Sequence, residues 1–136
     1  MQDRSPRVYN RGVSIVGIGI DVVDVSRMRE TLSRTPSFRE RCFTPAERAY
    51  AERARDPSER FAVRFAAKEA VMKAMGLGLG AFGFYDVEVV RADDGVPGLL
   101  ISGDAARLAD ERGIKRWHVS LTHTETTAAA YVIAER

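Results

Sequence analysis

The chain reads as an α+β domain in which a mainly antiparallel sheet is packed against helices on one side. Three features of its 136 residues point there. A β-like run, VSIVGIGID, occupies 13–21; helical periodicity fills the middle of the chain; and alternating segments joined by tight turns dominate the second half. The length, with 45% hydrophobic and 29% charged content, suits a single small globular domain that can bury a core. Residues 13–136 make up that domain. Residues 1–12 are polar, lack apolar periodicity and read as a flexible N-terminal extension.

VSIVGIGID is read as a buried strand, with Val13, Ile15, Val16, Ile18 and Ile20 apolar and Asp21 at its end. Asp24 or Ser26 caps the helix that follows, where Val25, Met28 and Leu32 recur at spacings of three and four. Arg27 and Arg34 share another face of it. In FTPAER, Thr44 at the N-cap, Pro45 at the first helical position and Glu47 three residues after the threonine spell a capping box, predicting a helix to about Arg55. DPSER breaks that helix and starts another over 59–75, which stops at the glycines at 76, 78 and 80. FYDVEVVR and GLLIS pair as a hairpin across ADDGVPG, and GDAARLADERG is a short helix closed by Gly113. WHVSLTH and TAAAYVIAE form the last hairpin around the polar turn THTETT.

Composition narrows the function classes. No apolar run reaches the length of a membrane span, and the N-terminus lacks the apolar stretch of a secretory signal, so a cytoplasmic protein without a membrane partner is expected. Cys42 is the only cysteine, which excludes an internal disulfide and a thiol cluster for zinc; beside Phe43 it reads as a small core hydrophobe. Net charge is +2, yet Arg27 to Arg64 holds ten arginines, no lysine and six acidic residues. That stretch is either a solvated face laced with ion pairs or a dock for an acidic partner. A net charge this close to neutral argues against nucleic acid.

On the 59–75 helix, Ala62, Ala66, Glu69 and Lys73 follow at four, three and four residues and line one face. Alanines let a neighbouring strand come close, so Glu69 points across a narrow gap. Phe61, Phe65, Met72 and Met75 mark an adjacent stripe, read as core. Lys73, one turn after Glu69, stands in the favourable order for a surface ion pair with it. Asp21 is a helix cap or a second carboxylate for Glu69. Two carboxylates that meet away from thiols and imidazoles make an oxygen site suited to magnesium, which keeps waters and recruits substrate phosphates. Gly76 and Gly78 either admit a phosphate to backbone amides or cap the helix. His118 and His123, five apart, face opposite sides of a strand; His123, in the turn with Thr122 and Thr124, is the ligand-facing one. A magnesium phosphoesterase would use the same two carboxylates, but two-metal sites collect more acidic ligands than this chain offers.

Three segments in order, GIGID at 17–21, RFAAKEAVMKAMGLG at 64–78 and HVSLTHTETTAAAYVI at 118–133, resemble the 4′-phosphopantetheinyl transferases. Within that family the chain is similar to the short holo-acyl-carrier-protein synthase type. The resemblance implies that Asp21 and Glu69 bind magnesium together with the pyrophosphate of coenzyme A, and that Lys73 lies near the reacting phosphate. It places His123, with Thr124 beside it, at the coenzyme, Arg64 and Lys68 at its nucleotide end, and the backbone of Gly76 and Gly78 near phosphate. Relatives often carry a hydroxyl residue between those glycines, where this chain has Leu77. The implied reaction moves the 4′-phosphopantetheine arm from coenzyme A to a serine of an acyl carrier protein and releases adenosine 3′,5′-bisphosphate, a step in fatty acid biosynthesis. Glu69 or a metal-bound water takes the serine proton, and the carrier is a free protein or a domain of a larger synthase. Carrier proteins are acidic after that serine, which makes Arg27, Arg34 and Arg41 the docking face. Short members of the family form homotrimers with sites between subunits, and the same is expected here.

Overall fold

The computed structural model describes residues 14–136; Val13 and the extension at 1–12 lie outside the described residues. The first strand, β1 (Ile15–Asp24), runs on past Asp21, so that residue sits inside the strand opposite Ala130 and not at its end. Asp24 terminates the strand and caps α1 (Val25–Arg34) by accepting from the Ser26 N–H at 3.3 Å. Val25, Met28 and Leu32 are its buried face. A five-residue helix, α2 (Phe38–Cys42), follows; it is too short for periodicity to announce and has no side-chain cap. The capping box opens α3 (Pro45–Ala51): Thr44 Oγ1 accepts from the Glu47 N–H at 3.3 Å, and Glu47 Oε1 accepts from the Thr44 N–H at 3.0 Å. This helix ends at Ala51, short of Arg55, and turns lead into the long α4 (Ser58–Ala74).

A 3₁₀ turn at Phe84–Asp86 takes the first residues of FYDVEVVR, leaving β2 (Val87–Arg91) to pair with β3 (Pro97–Ile101) as a separate two-stranded sheet. After α5 (Gly103–Glu111), β4 (Arg116–His123) and β5 (Thr127–Glu135) join β1 in an antiparallel sheet of order β1-β5-β4. The inward residues of the central strand, Ala128, Ala130, Val132 and Ala134, are small and buried. Among the described residues no helix is long and apolar enough to cross a membrane.

Small residues on the sheet allow α4 to lie directly upon it. A Cβ on Gly17 would stand 1.8 Å from the carbonyl oxygen of Ala74, and one on Gly19 would stand 1.9 Å from that of Ala70. Helix and strand backbones therefore touch, and they do so at Ala70 and Ala74, further along the helix than Ala62 and Ala66. Because the glycines take the inward positions, strand alternation sends Ile18, Ile20 and Val22 outward, where they are 51%, 55% and 61% exposed. The buried-strand expectation thus holds for the glycine face and fails for the isoleucines.

A second core fills the space between α1, α2, α3 and the first half of α4. Phenylalanines run through it in T-shaped and tilted contacts: Phe61 and Phe43 have ring centroids 4.7 Å apart, Phe43 and Phe38 5.9 Å, and Phe38 and Phe65 5.6 Å. Each fully buried ring contributes about 2–3 kcal/mol through its apolar area. Cys42 is buried here, and desolvation pushes its thiol pKa up, away from nucleophilic character.

Gly19→Ala is expected to cost about 2–3 kcal/mol of unfolding free energy, because the new methyl meets backbone that cannot move aside. Gly78→Ala, whose Cβ would meet nothing within 4 Å, is the control and should change stability by less than about 1 kcal/mol. Urea denaturation of the two variants measures both.

Candidate active site

The backbone contact between β1 and α4 sets three charged side chains face to face. Lys73 Nζ donates to Asp21 Oδ1 at 2.9 Å and to the carbonyl of Ile20 at 3.0 Å. The lysine thus pairs across the gap to the strand and not with Glu69 one turn back on its own helix. Asp21 is only 8% exposed, and its second oxygen, Oδ2, is buried without a hydrogen-bond donor. Burial pushes the Glu69 carboxyl up to about 7; hydrogen bonding with Asp21 and the negative charge of Asp21 add to the rise, and Lys73 opposes it. Two carboxylates therefore lie close together in a partly desolvated place, and the one ammonium there is bonded to Asp21. Glu69 also lines a cavity of about 290 Å³ with Arg27, Thr31, Met28, Phe38 and Phe65.

Other basic residues gather elsewhere. Arg64 is buried against the ring of Tyr50, its guanidinium 4.3 Å from the ring centroid, and its Nε has no partner. Arg60 and Arg91 stack on the same ring at 4.3 and 5.3 Å. All four line a 480 Å³ cavity with Glu59 and His123, whose Nδ1 lies 3.2 Å from Glu59 Oε2. Within one chain, then, His123 and Arg64 share one cleft while Glu69 opens onto another. His118, on the opposite side of β4, pairs with Glu135. Tyr50, Glu59, Arg60 and Arg91 escaped the sequence reading; the spacing of four between Arg60 and Arg64 on one helix was the only signal for them.

The structure corrects one assignment. Lys68 does not present its charge to a ligand: it is fully buried, 2.8 Å from Glu47 Oε1, and donates to the carbonyls of Phe84 and Val87. Burial pulls its pKa down despite that partner. Thr124 Oγ1 is engaged in building its turn, accepting from the N–H groups of Thr126 and Thr127. Gly76, at φ +71°, forms a Schellman cap: its N–H donates to the Lys73 carbonyl and that of Leu77 to the Met72 carbonyl, both at 2.9 Å. Arg29 and Arg39 are tied to Asp56 and Glu52, whereas Arg27, Arg34 and Arg41 are exposed and make no ion pair among the described residues.

The chain as a whole has known relatives. Residues 17–134 match the family model of the 4′-phosphopantetheinyl transferase superfamily. The chain belongs to that family. A holo-[acyl-carrier-protein] synthase of Frankia alni is 50% identical over 90% of this chain and 99% of its own length. The crystal structure of the corresponding synthase from Neisseria meningitidis superposes with a TM-score of 0.81 at 34% identity, covering 90% of this chain and 99% of that one. The Helicobacter pylori synthase, solved in complex with coenzyme A, has a TM-score of 0.77 at 29% identity over 87% of this chain and 99% of that one. The chain is accordingly an enzyme of the holo-acyl-carrier-protein synthase type, with the α+β fold of those structures.

For a transferase of this family the donor set can be tested against a cation. Asp21 Oδ2 is an orphaned buried oxygen, and burial together with the neighbouring Asp21 holds the Glu69 carboxyl above its ordinary range, so the pair suits a hard divalent ion. Among the described residues no group of three or more metal-ligating side chains converges. Such an ion would complete its shell from water and substrate phosphate, which suits magnesium better than a metal needing a full protein cage.

A carboxyl whose pKa is raised on folding destabilises the fold above that pKa, and the penalty fades as pH falls toward the unfolded value near 4.5. Glu69→Gln should therefore raise the unfolding free energy at pH 8 by on the order of 1 kcal/mol after allowance for solvent screening, with the gain vanishing near pH 4–5. Thermal melts across pH in a chelating buffer measure it; a gain that grew on acidification would contradict the assigned direction.

Proposed function

We propose that this enzyme transfers the 4′-phosphopantetheine arm of coenzyme A to a serine hydroxyl of an acyl carrier protein, with magnesium, releasing adenosine 3′,5′-bisphosphate. The observation that carries the reading is the meeting of Asp21, Glu69 and Lys73 beside a cavity lined in part by Arg27. The synthase names of the relatives and the coenzyme A complex of the Helicobacter pylori enzyme support the same substrates.

Asp21 and Glu69 would hold the magnesium, which supplies positive charge to the pyrophosphate oxygens. The proton of the incoming serine passes to Glu69 or to a water held beside it. As the serine oxygen bonds to the phosphorus that carries the pantetheine arm, the bond to the bisphosphate oxygen breaks. Lys73 offsets the charge growing on that leaving oxygen. His123 and Arg64, in the cleft with Arg60 and Arg91, offer cationic and hydrogen-bonding groups to the coenzyme's remaining phosphate. The unpaired Arg27, Arg34 and Arg41 steer and seat the acidic helix of the carrier.

The separation of the two clefts within one chain supports a homotrimer in which a site draws on neighbouring subunits. So does the outward row of Ile18, Ile20 and Val22, an apolar stripe on an edge strand.

Intact-mass analysis of an apo carrier protein incubated with coenzyme A, magnesium and the enzyme should show the gain of one phosphopantetheine, lost when a chelator is added. Asp21→Ala and Glu69→Ala are expected to lower kcat by at least about 100-fold with the fold retained. Full activity in Glu69→Ala would defeat the assignment. Arg27→Glu should raise KM for the carrier by about 10-fold while kcat stays nearly constant. For assembly, light scattering should give the mass of a trimer for the unaltered protein and of a monomer for Ile20→Asp; a monomeric unaltered protein would refute the trimer.

A further inference from the structure

We infer that Lys73 is a built-in competitor for the cation: its ammonium holds Asp21 until a divalent ion displaces it, so the ion must arrive before the lysine can serve a phosphate. The inference rests on the reading of Asp21 and Glu69 as cation ligands and adds an order of events to it.

Asp21 is fixed in the middle of β1, with the adjacent residues hydrogen-bonded to β5, and its carboxylate is nearly closed off from water. A desolvated carboxylate needs a countercharge. Among the described residues Lys73 is its only ion-pair partner, and it occupies Oδ1 at 2.9 Å while Oδ2 goes without a donor. A divalent ion on Asp21 and an ammonium at hydrogen-bond distance from the same carboxylate repel each other strongly, so the two compete. The contest is uneven in mobility. Asp21 cannot move, but the Lys73 side chain is 53% exposed on a flexible stem, held otherwise by one backbone carbonyl. It gives up little on leaving. Once released, it projects from the last turn of α4, directly before the Gly76–Gly80 loop, where an incoming phosphate can take it up. Cation binding and delivery of the lysine to phosphate thereby become one event.

Mn²⁺ titration followed by electron paramagnetic resonance, without coenzyme A and well above pH 7 so that Glu69 is ionised in every variant, tests this. Lys73→Met should bind Mn²⁺ about 10-fold or more tightly than the unaltered protein, Lys73→Arg should bind it about as the unaltered protein does, and adding Asp21→Asn to Lys73→Met should abolish the gain. Equal or weaker binding by a folded Lys73→Met overturns the inference while leaving the cation site standing. No Mn²⁺ binding by any variant, or binding indifferent to Asp21→Asn, removes the cation-site reading and the inference with it. A second measurement covers misfolding of the variant: in the unaltered protein, Mg²⁺ should increase the rate at which acetic anhydride modifies Lys73, read by peptide mass spectrometry. An unchanged or reduced rate would likewise refute the displacement.

Discussion

The contact of two backbones, Gly17 and Gly19 of β1 against Ala70 and Ala74 of α4, is the constraint on which the remaining structure depends. Helices that pack through side chains sit about 8–10 Å from their neighbours. Here the missing Cβ atoms let the helix settle onto the strand, with hypothetical methyls overlapping carbonyl oxygens at under 2 Å. Only at such range can Lys73 reach both the Asp21 carboxylate and the carbonyl of Ile20. A normal helix–strand separation would leave these side chains apart and hydrated. The glycines therefore act on the chemistry without touching it.

Rotation of α4 about its own axis needs a separate lock, and the residue beside Glu69 provides it. Successive residues on a helix point about 100° apart, so Lys68 faces α3 and β2 while Glu69 faces β1. Lys68 is bound to Glu47, which also accepts from the N–H groups of Thr44 and Val89. Thr44 in turn donates to Glu88. A buried ion pair is weak evidence for stability, but one with every partner in place defines a unique arrangement. The contrast with the other flank is informative: there Asp21 Oδ2 lacks a donor and Glu69 is held above its ordinary titration range. Polar groups are satisfied where the helix is anchored and left wanting at Asp21 and Glu69, the pattern expected of a functional site.

What the sequence made legible follows from how local each signal is. The capping box at Thr44 and Glu47, the Asp24 cap and the glycine stop after Met75 are written within a few residues, and the structure has each of them. The facing of β1 was misjudged because apolar side chains ordinarily mark the inward face of a strand, whereas here absence of a side chain marks it. That inversion depends on a helix some fifty residues away. Lys68 differs from its expected place for a related reason: its motif neighbours Glu69 and Lys73 lie on the β1 side of the helix, but a one-residue step turns Lys68 into the core, where it meets Glu47. The pairing of Asp21 with Lys73, against the expected Glu69–Lys73 pair, likewise turned on tertiary distance and not on helical spacing.

Because a strand alternates, β1 ties the site to the molecule's outer surface. Asp21 looks inward to α4, and its immediate neighbours Ile20 and Val22 look outward with more than half of their surface exposed. Ile20 belongs to both sides at once: its side chain is part of the apolar stripe and its carbonyl accepts from Lys73. The backbone that carries the stripe is therefore the one that positions Asp21 and supplies one of the two acceptors of Lys73. The exposed isoleucines are thus better understood as the reverse side of the site than as a surface defect.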